Sequence, residues 1–229
     1  MAQRPVFIPE HSGYPFVKTV DIEFKWSPGM AKSQAQKSIR SLHEAAAKAG
    51  FPRLLEISSK SEDNLGVALS AFNLSITGNN KKMSVECAFQ GSKVFEQGGP
   101  YTDLYSASSL DAKRDERIRN SGNIIAFDFM GVQFPTVPIT LFYDWLYITA
   151  LHQNKKLSDQ ILQYDGFTDI AFNPQKSWNC QARSAALFLA LQATGKLEQV
   201  ISDTACYLRL ATDTGKPGTG GVQMRFGFG

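Results

Sequence analysis

Two segments of this chain are too apolar to sit on a surface, and they oblige the rest to assemble around one interior. Helical spacing over residues 139–153 places Phe142, Trp145, Leu146 and Thr149 on adjoining positions. A second apolar helix runs from Asn179 to Thr194, capped by Ser177 and stopped at Gly195. A chain of 229 residues, 43% of them hydrophobic, is long enough to bury both in a single domain and divides only awkwardly into two.

The remaining periodicity supplies the outer elements. Val20, Ile22, Phe24 and Trp26 alternate with Asp21, Glu23 and Lys25, which predicts a strand wetted on one face. Ile39, Leu42, Ala46 and Ala49 recur at helical spacing up to Gly50, and a shorter helix runs through Leu157, Ile161 and Leu162. Short strands are expected at 54–59 and 72–76, the second ahead of the turn-forming Gly78-Asn79-Asn80. Ser84 is placed to cap a helix that Gly98-Gly99-Pro100 ends. Ser108 and Asp111 form a capping pair for a short charged helix, residues 124–134 read as a hairpin around Met130-Gly131, and a last helix reaches about Leu210. The expected architecture is an α+β, predominantly helical single domain over residues 1–211 with a few short strands. Its core spans about 55–191, with an N-terminal extension over 1–54. Residues 212–229, rich in Gly, Thr and Pro, read as a flexible tail.

Charge and rare residues narrow the chemistry. The 24 Lys and Arg against 21 Asp and Glu leave +3, scattered along the chain, which permits contact with nucleic acid without arguing for it. Cys87, Cys180 and Cys206 form no CxxC pair, and His11, His43 and His152 stand alone, so neither a disulfide framework nor a side-chain metal site is indicated. No apolar run is long enough for a membrane span and no secretory leader is evident, so a cytoplasmic protein is expected.

On the helix opened by Ser84, Gln90 falls about 40° around the axis from Glu86, and Lys93 about 20° short of two turns. Acid, amide and amine thus share one stripe, flanked by Val85, Cys87, Ala88, Phe89 and Val94. Such a stripe is either a solvated face with an i, i+4 pair or one wall of a pocket, and the apolar flanks suit the pocket.

The residues around the stripe resemble a known family. Leu69-Ser70-Ala71-Phe72-Asn73-Leu74 followed by Val85-Glu86-Cys87-Ala88-Phe89-Gln90-Gly91-Ser92-Lys93 is similar to the NADAR pattern L-S-N-F, then T-x-E-H-x-F-Q-x-x-K. Tyr143-Asp144-Trp145 resembles that family's Asp-Trp, and Asn179-Cys180-Gln181-Ala182 its N-x-L-G. The phrases at 56–61, 167–170 and 172–174 look most like the subgroup found as antitoxins beside DarT-type toxins. Ala71 and Cys87 replace the family's Asn and His, and its W-G-x-G segment is absent, with Phe172-Asn173-Pro174 in the corresponding stretch.

The resemblance implies an enzyme that breaks an N-glycosidic bond to ribose without a cofactor. Its implied substrate is ADP-ribosylated guanine in DNA, and a cognate DarT-type toxin is a possible partner. An intermediate of the riboflavin pathway is the alternative substrate, and a non-catalytic module binding ADP-ribose or the toxin is the alternative class. Cleavage builds positive charge on the ribose, which a fixed carboxylate stabilises, and Glu86 is the first candidate. Lys93 would hold phosphate as a point charge or attack the opened sugar as an amine. Asp169 is either the second carboxylate or a turn residue. Ser70, Phe72 and Gln90 belong to the implied binding set. Asp144 joins that set as a polar contact, whereas Trp145 is either a stacking platform or plain core. Asn179 would present its amide to pyrophosphate or merely cap a helix, and Ser59 and Lys60 would form a phosphate-binding turn or an ordinary one. Lys113 and Arg114 read as solvated charges.

Overall fold

The computed structural model describes residues 1–13, 15–175 and 177–212. The expected tail, from 213 onward, lies outside the described residues. The chain opens with a strand that periodicity did not announce, β1 (Ala2–Pro9), which pairs antiparallel along its whole length with β2 (Val17–Phe24). Pro5 and Pro9 interrupt its donor pattern, which is why the segment does not read as a strand. In β2, Val17, Ile22 and Phe24 are buried while Asp21 and Glu23 are exposed, as the alternation required. Helix α1 (Lys32–Lys48) buries Ile39, Leu42 and Ala46, and leads to β3 (Leu54–Glu56).

A short helix, α2 (Asn64–Ala68), is capped by Asp63, and the hairpin of β4 (Ser75–Gly78) and β5 (Lys81–Ser84) follows. Asn79 and Asn80, at φ 47° and 61°, make its two-residue turn, with Asn tolerating the left-handed conformation that β-branched residues avoid. Helix α3 (Val85–Gly91) runs straight from that hairpin and is followed by β6 (Lys93–Phe95). A 3-10 turn (Thr102–Ser106) leads to α4 (Ser109–Arg114) and α5 (Arg117–Asn120). Then come β7 (Ile124–Phe129) and β8 (Val132–Phe134), joined at Met130-Gly131 as expected. Helix α6 (Leu141–Gln153) is buried from Leu141 to Leu151, and α7 (Lys155–Ser158) with a 3-10 turn (Gln160–Gln163) follows it. The strand β9 (Gly166–Thr168) precedes α8 (Gln181–Ala193). The single helix expected after Gly195 is broken at Asp203 into α9 (Leu197–Ser202) and α10 (Thr204–Thr212).

Three sheets result among the described residues: β2-β1-β9-β3, β4-β5 and β6-β7-β8. The first covers α8 with one face and α1 with the other, so it separates a small cluster of Val6, Ile22, Phe24, Ile39 and Leu42 from the main core around α6 and α8. Helix accounts for 44% of the described residues and strand for 20%, so the fold is α+β, with more strand than a predominantly helical reading allows. The N-terminal residues are no appendage to this sheet, because β1 lies inside it, between β2 and β9.

Candidate active site

Ser84 supplies the N-cap of α3, its hydroxyl accepting the Cys87 N–H at 3.1 Å, and this fixes where the helix starts and which residues face inward. Glu86 and Gln90 are both 7% exposed and Lys93 is 6% exposed. The helix nevertheless ends earlier than the Gly-Gly-Pro stop suggested. Gly91 is its last residue, Ser92 caps it, and Lys93 is the first residue of β6, paired with Phe127. The helical-wheel placement of Lys93 is therefore incorrect, yet the three side chains meet. Lys93 Nζ donates to Gln90 Oε1 at 2.7 Å, and Gln90 Nε2 donates to Glu86 Oε1 at 2.9 Å. The amide is thus fully oriented, a one-way chain from amine to carboxylate. Glu86 Oε2 has no hydrogen-bond partner among the described residues and is not sealed from solvent. Lys93 Nζ also lies 4.7 Å over the Phe89 ring. Burial brings its pKa down to about 8, with Glu86 opposing and Lys113 reinforcing the fall.

A second arm reaches this triad through the backbone. The Glu86 N–H donates to the Ala71 carbonyl at 2.9 Å, and the Ala71 N–H donates to Gln181 Oε1 at 2.7 Å. Gln181 Nε2 in turn donates to the Ile57 carbonyl (2.6 Å) and to Asp169 Oδ2 (3.0 Å). Residue 181 therefore welds three loops together. Asp169 also accepts the Ala171 N–H. Burial and the neighbouring charge of Glu56 push its pKa up to about 7. Glu56, the last residue of β3, accepts from Thr168 Oγ1 (2.7 Å) and the Ile170 N–H (2.9 Å), and its carboxyl is itself pushed up by burial. The single Thr168 hydroxyl proton goes to Glu56, so that oxygen accepts from His43 Nε2 at 2.9 Å, and burial lowers the imidazole pKa to about 4.

The other expected site residues fall into two groups. Ser70, Phe72, Ser59, Lys60 and Asn179 sit on loops bordering these two arms. The Ser70 hydroxyl shapes its own turn, donating to Val67 O and accepting from Asn73 Nδ2. Phe72 is half-buried with the Lys113 ammonium 5.3 Å over its ring, so Lys113, though exposed, is one of the charges acting on the site. Ser59 and Lys60 form the turn after β3. Asn179 does not cap α8, whose N-cap is Cys180, and its Oδ1 is buried with no partner among the described residues. Ser177 does not cap that helix either; its hydroxyl donates to Asn179 O. Asp144 and Trp145 point elsewhere on α6. Asp144 is buried against α8 with its oxygens accepting from Arg183 and Ser184, and Trp145 packs on Phe129 and Phe134.

Sequence reasoning did not single out Tyr143, Phe89 or Gln181 as site residues. Tyr143 meets Phe89 edge-on at 5.1 Å between ring centroids. The signal that could have found Gln181 is a long amide opening an otherwise apolar helix. Two hollows lie apart from the triad: one of about 420 Å³ between α1 and β3 is lined by His43 and Glu56, and one of about 640 Å³ by Phe51, Tyr164 and Leu189. Among the described residues no cluster of three or more His, Cys, Asp or Glu could hold a metal, and no helix is long and apolar enough to cross a membrane.

The α+β fold carries a helix-borne Glu86 and Gln90 hydrogen-bonded to a buried Lys93, and a NADAR family model matches the chain. The family model of the DarT1-associated NADAR antitoxin matches residues 2–219, and the chain belongs to that family of antitoxins. No curated protein matches it.

Proposed function

We propose that this antitoxin is an N-glycosidase that removes ADP-ribose from guanine bases in DNA and so reverses the modification made by a DarT-type toxin. The observation that carries this reading is the buried Glu86–Gln90–Lys93 chain ending in an open carboxylate oxygen. As the ribose C1–N bond breaks, positive charge grows on the sugar, and a carboxylate fixed in a poorly solvated site stabilises it far better than water would. Gln90 holds Glu86 in place, leaving Oε2 to face the sugar or a water. With a pKa of about 8, Lys93 is present at neutral pH in both protonation states. As the ammonium it delivers a proton to the departing base nitrogen. As the free amine it adds to C1 of the ring-opened ribose, the C1–N bond to guanine breaks with a proton passing to the departing nitrogen, and water hydrolyses the resulting Schiff base to ADP-ribose and the free lysine.

Incubating an oligonucleotide carrying ADP-ribosylated guanine with the wild type, Glu86→Gln and Lys93→Ala tests the reading. The wild type is expected to release ADP-ribose and restore the base, and each variant to lose at least about a hundredfold in rate. A wild-type protein that leaves the adduct intact sinks the proposal. Borohydride trapping of a covalent adduct on Lys93 distinguishes the amine role from the proton-donor role.

A further inference from the structure

We propose that Tyr143 is a substrate-contact residue of this site, its hydroxyl donating a hydrogen bond to an oxygen of the bound ribose. The inference rests on the N-glycosidase reading above. Tyr143 is only 6% exposed, and its ring is held edge-on to Phe89, whose face carries the Lys93 ammonium. Tyr143 and the amine therefore pack against the same ring. Among the charged groups Glu86 acts on the phenol most strongly, and Asp169 of the other arm acts on it as well.

A buried Tyr hydroxyl ordinarily finds a partner, because leaving it without one costs about 1–3 kcal/mol. This one has no hydrogen-bond partner among the described residues, nor is it sealed from solvent. Its neighbour one turn on, Tyr147, shows the usual arrangement, donating to the Leu69 carbonyl at 2.8 Å. The contrast separates a structural tyrosine from one whose polar end is left for something else. Burial and the Glu86 charge keep the Tyr143 phenol protonated far beyond neutral pH, so it can only act as a neutral donor or acceptor. A neutral donor on α6 and the accepting Glu86 Oε2 on α3 together suit the oxygens of a ribose, where one hydroxyl donates and its neighbour accepts.

Because the hydroxyl makes no bond within the protein, Tyr143→Phe removes a substrate contact and nothing structural. Expected is an unchanged Tm and a fall of about tenfold or more in kcat/KM on the ADP-ribosylated oligonucleotide. Tyr147→Phe is the control, expected to lower Tm while the folded protein keeps its kcat/KM. Unchanged kcat/KM in Tyr143→Phe overturns the proposal, while hydrolysis by the wild type leaves the glycosidase reading standing. If the wild type is inert, that reading fails and calorimetric titration with ADP-ribose decides the inference. A tenfold weaker affinity in Tyr143→Phe sustains it, and equal affinity, or no binding by either protein, overturns it.

Discussion

At the scale of single residues, the site stores electrostatic cost in two places. Lys93 is an ammonium buried to 6% exposure, and its pKa of about 8 lies below its ordinary 10.5. Below pH 8 folded and unfolded chains both carry the charge and the burial cost is fully felt. Between 8 and 10.5 the unfolded chain still holds its proton while the folded one has released it, so stability rises with pH. Relative to Lys93→Met, the wild type is expected to gain about 3 kcal/mol across that window, read from urea unfolding at pH 7.5 and 10.5. A flat difference would show that the amine is solvated. Asp169 carries the opposite sign. Its pKa is raised from 3.8 to about 7, so the folded chain binds the extra proton and the stability this confers is lost as pH climbs from 4 through 7. Thermal unfolding of Asp169→Asn is expected to lack that fall. The Glu86–Gln90 half of the site was readable from sequence, because both residues lie within one helical turn. Gln181 and Tyr143 were not, since what marks them is a bond made, or left unmade, with residues far along the chain.

At the scale of elements, the seven residues of α3 are too few to hold a helix by propensity alone, and its position depends on what grips its ends. Ser84 does so twice, accepting from the Cys87 N–H and donating at 2.7 Å to the Ser109 hydroxyl, whose own proton goes to Phe72 O, which ties α3 to the start of α4. Ser84→Ala is expected to cost about 1–2 kcal/mol in chemical denaturation and to lower kcat, because Glu86 is carried on the first turn. Equal activity per folded molecule would show that the turn is held by packing instead. Caps of this sort were legible in advance, as Ser84 and Ser108 show, and so were the long helices with strong periodicity. The strands β1, β3 and β9 were legible only in part. Only β3 was expected, over the longer range 54–59; prolines break β1, and β9 is three residues, too short for alternation to declare itself. Helix ends were the weakest point. Lys93 continues the polar pattern of α3 although the chain has already turned into β6.

At the scale of the whole molecule, the first 54 residues contribute two strands of the four-stranded sheet and the helix on its outer face. A variant lacking residues 1–54 is therefore expected to give no cooperative thermal unfolding transition, although residues 55–191 carry every proposed catalytic side chain. A sharp transition from that fragment would show that the inner core folds alone. The same sheet has a consequence for when the protein becomes active. Gln181 lies 110 residues after Ala71 and 124 after Ile57, and the one-stranded reach of β9 brings Asp169 beside Glu56 only after most of the chain exists. The local triad can assemble early in synthesis, whereas the arm that braces it waits for α8 to clear the ribosome. A truncated or stalled antitoxin would therefore carry Glu86, Gln90 and Lys93 without the brace, and protection would begin only with nearly complete chains.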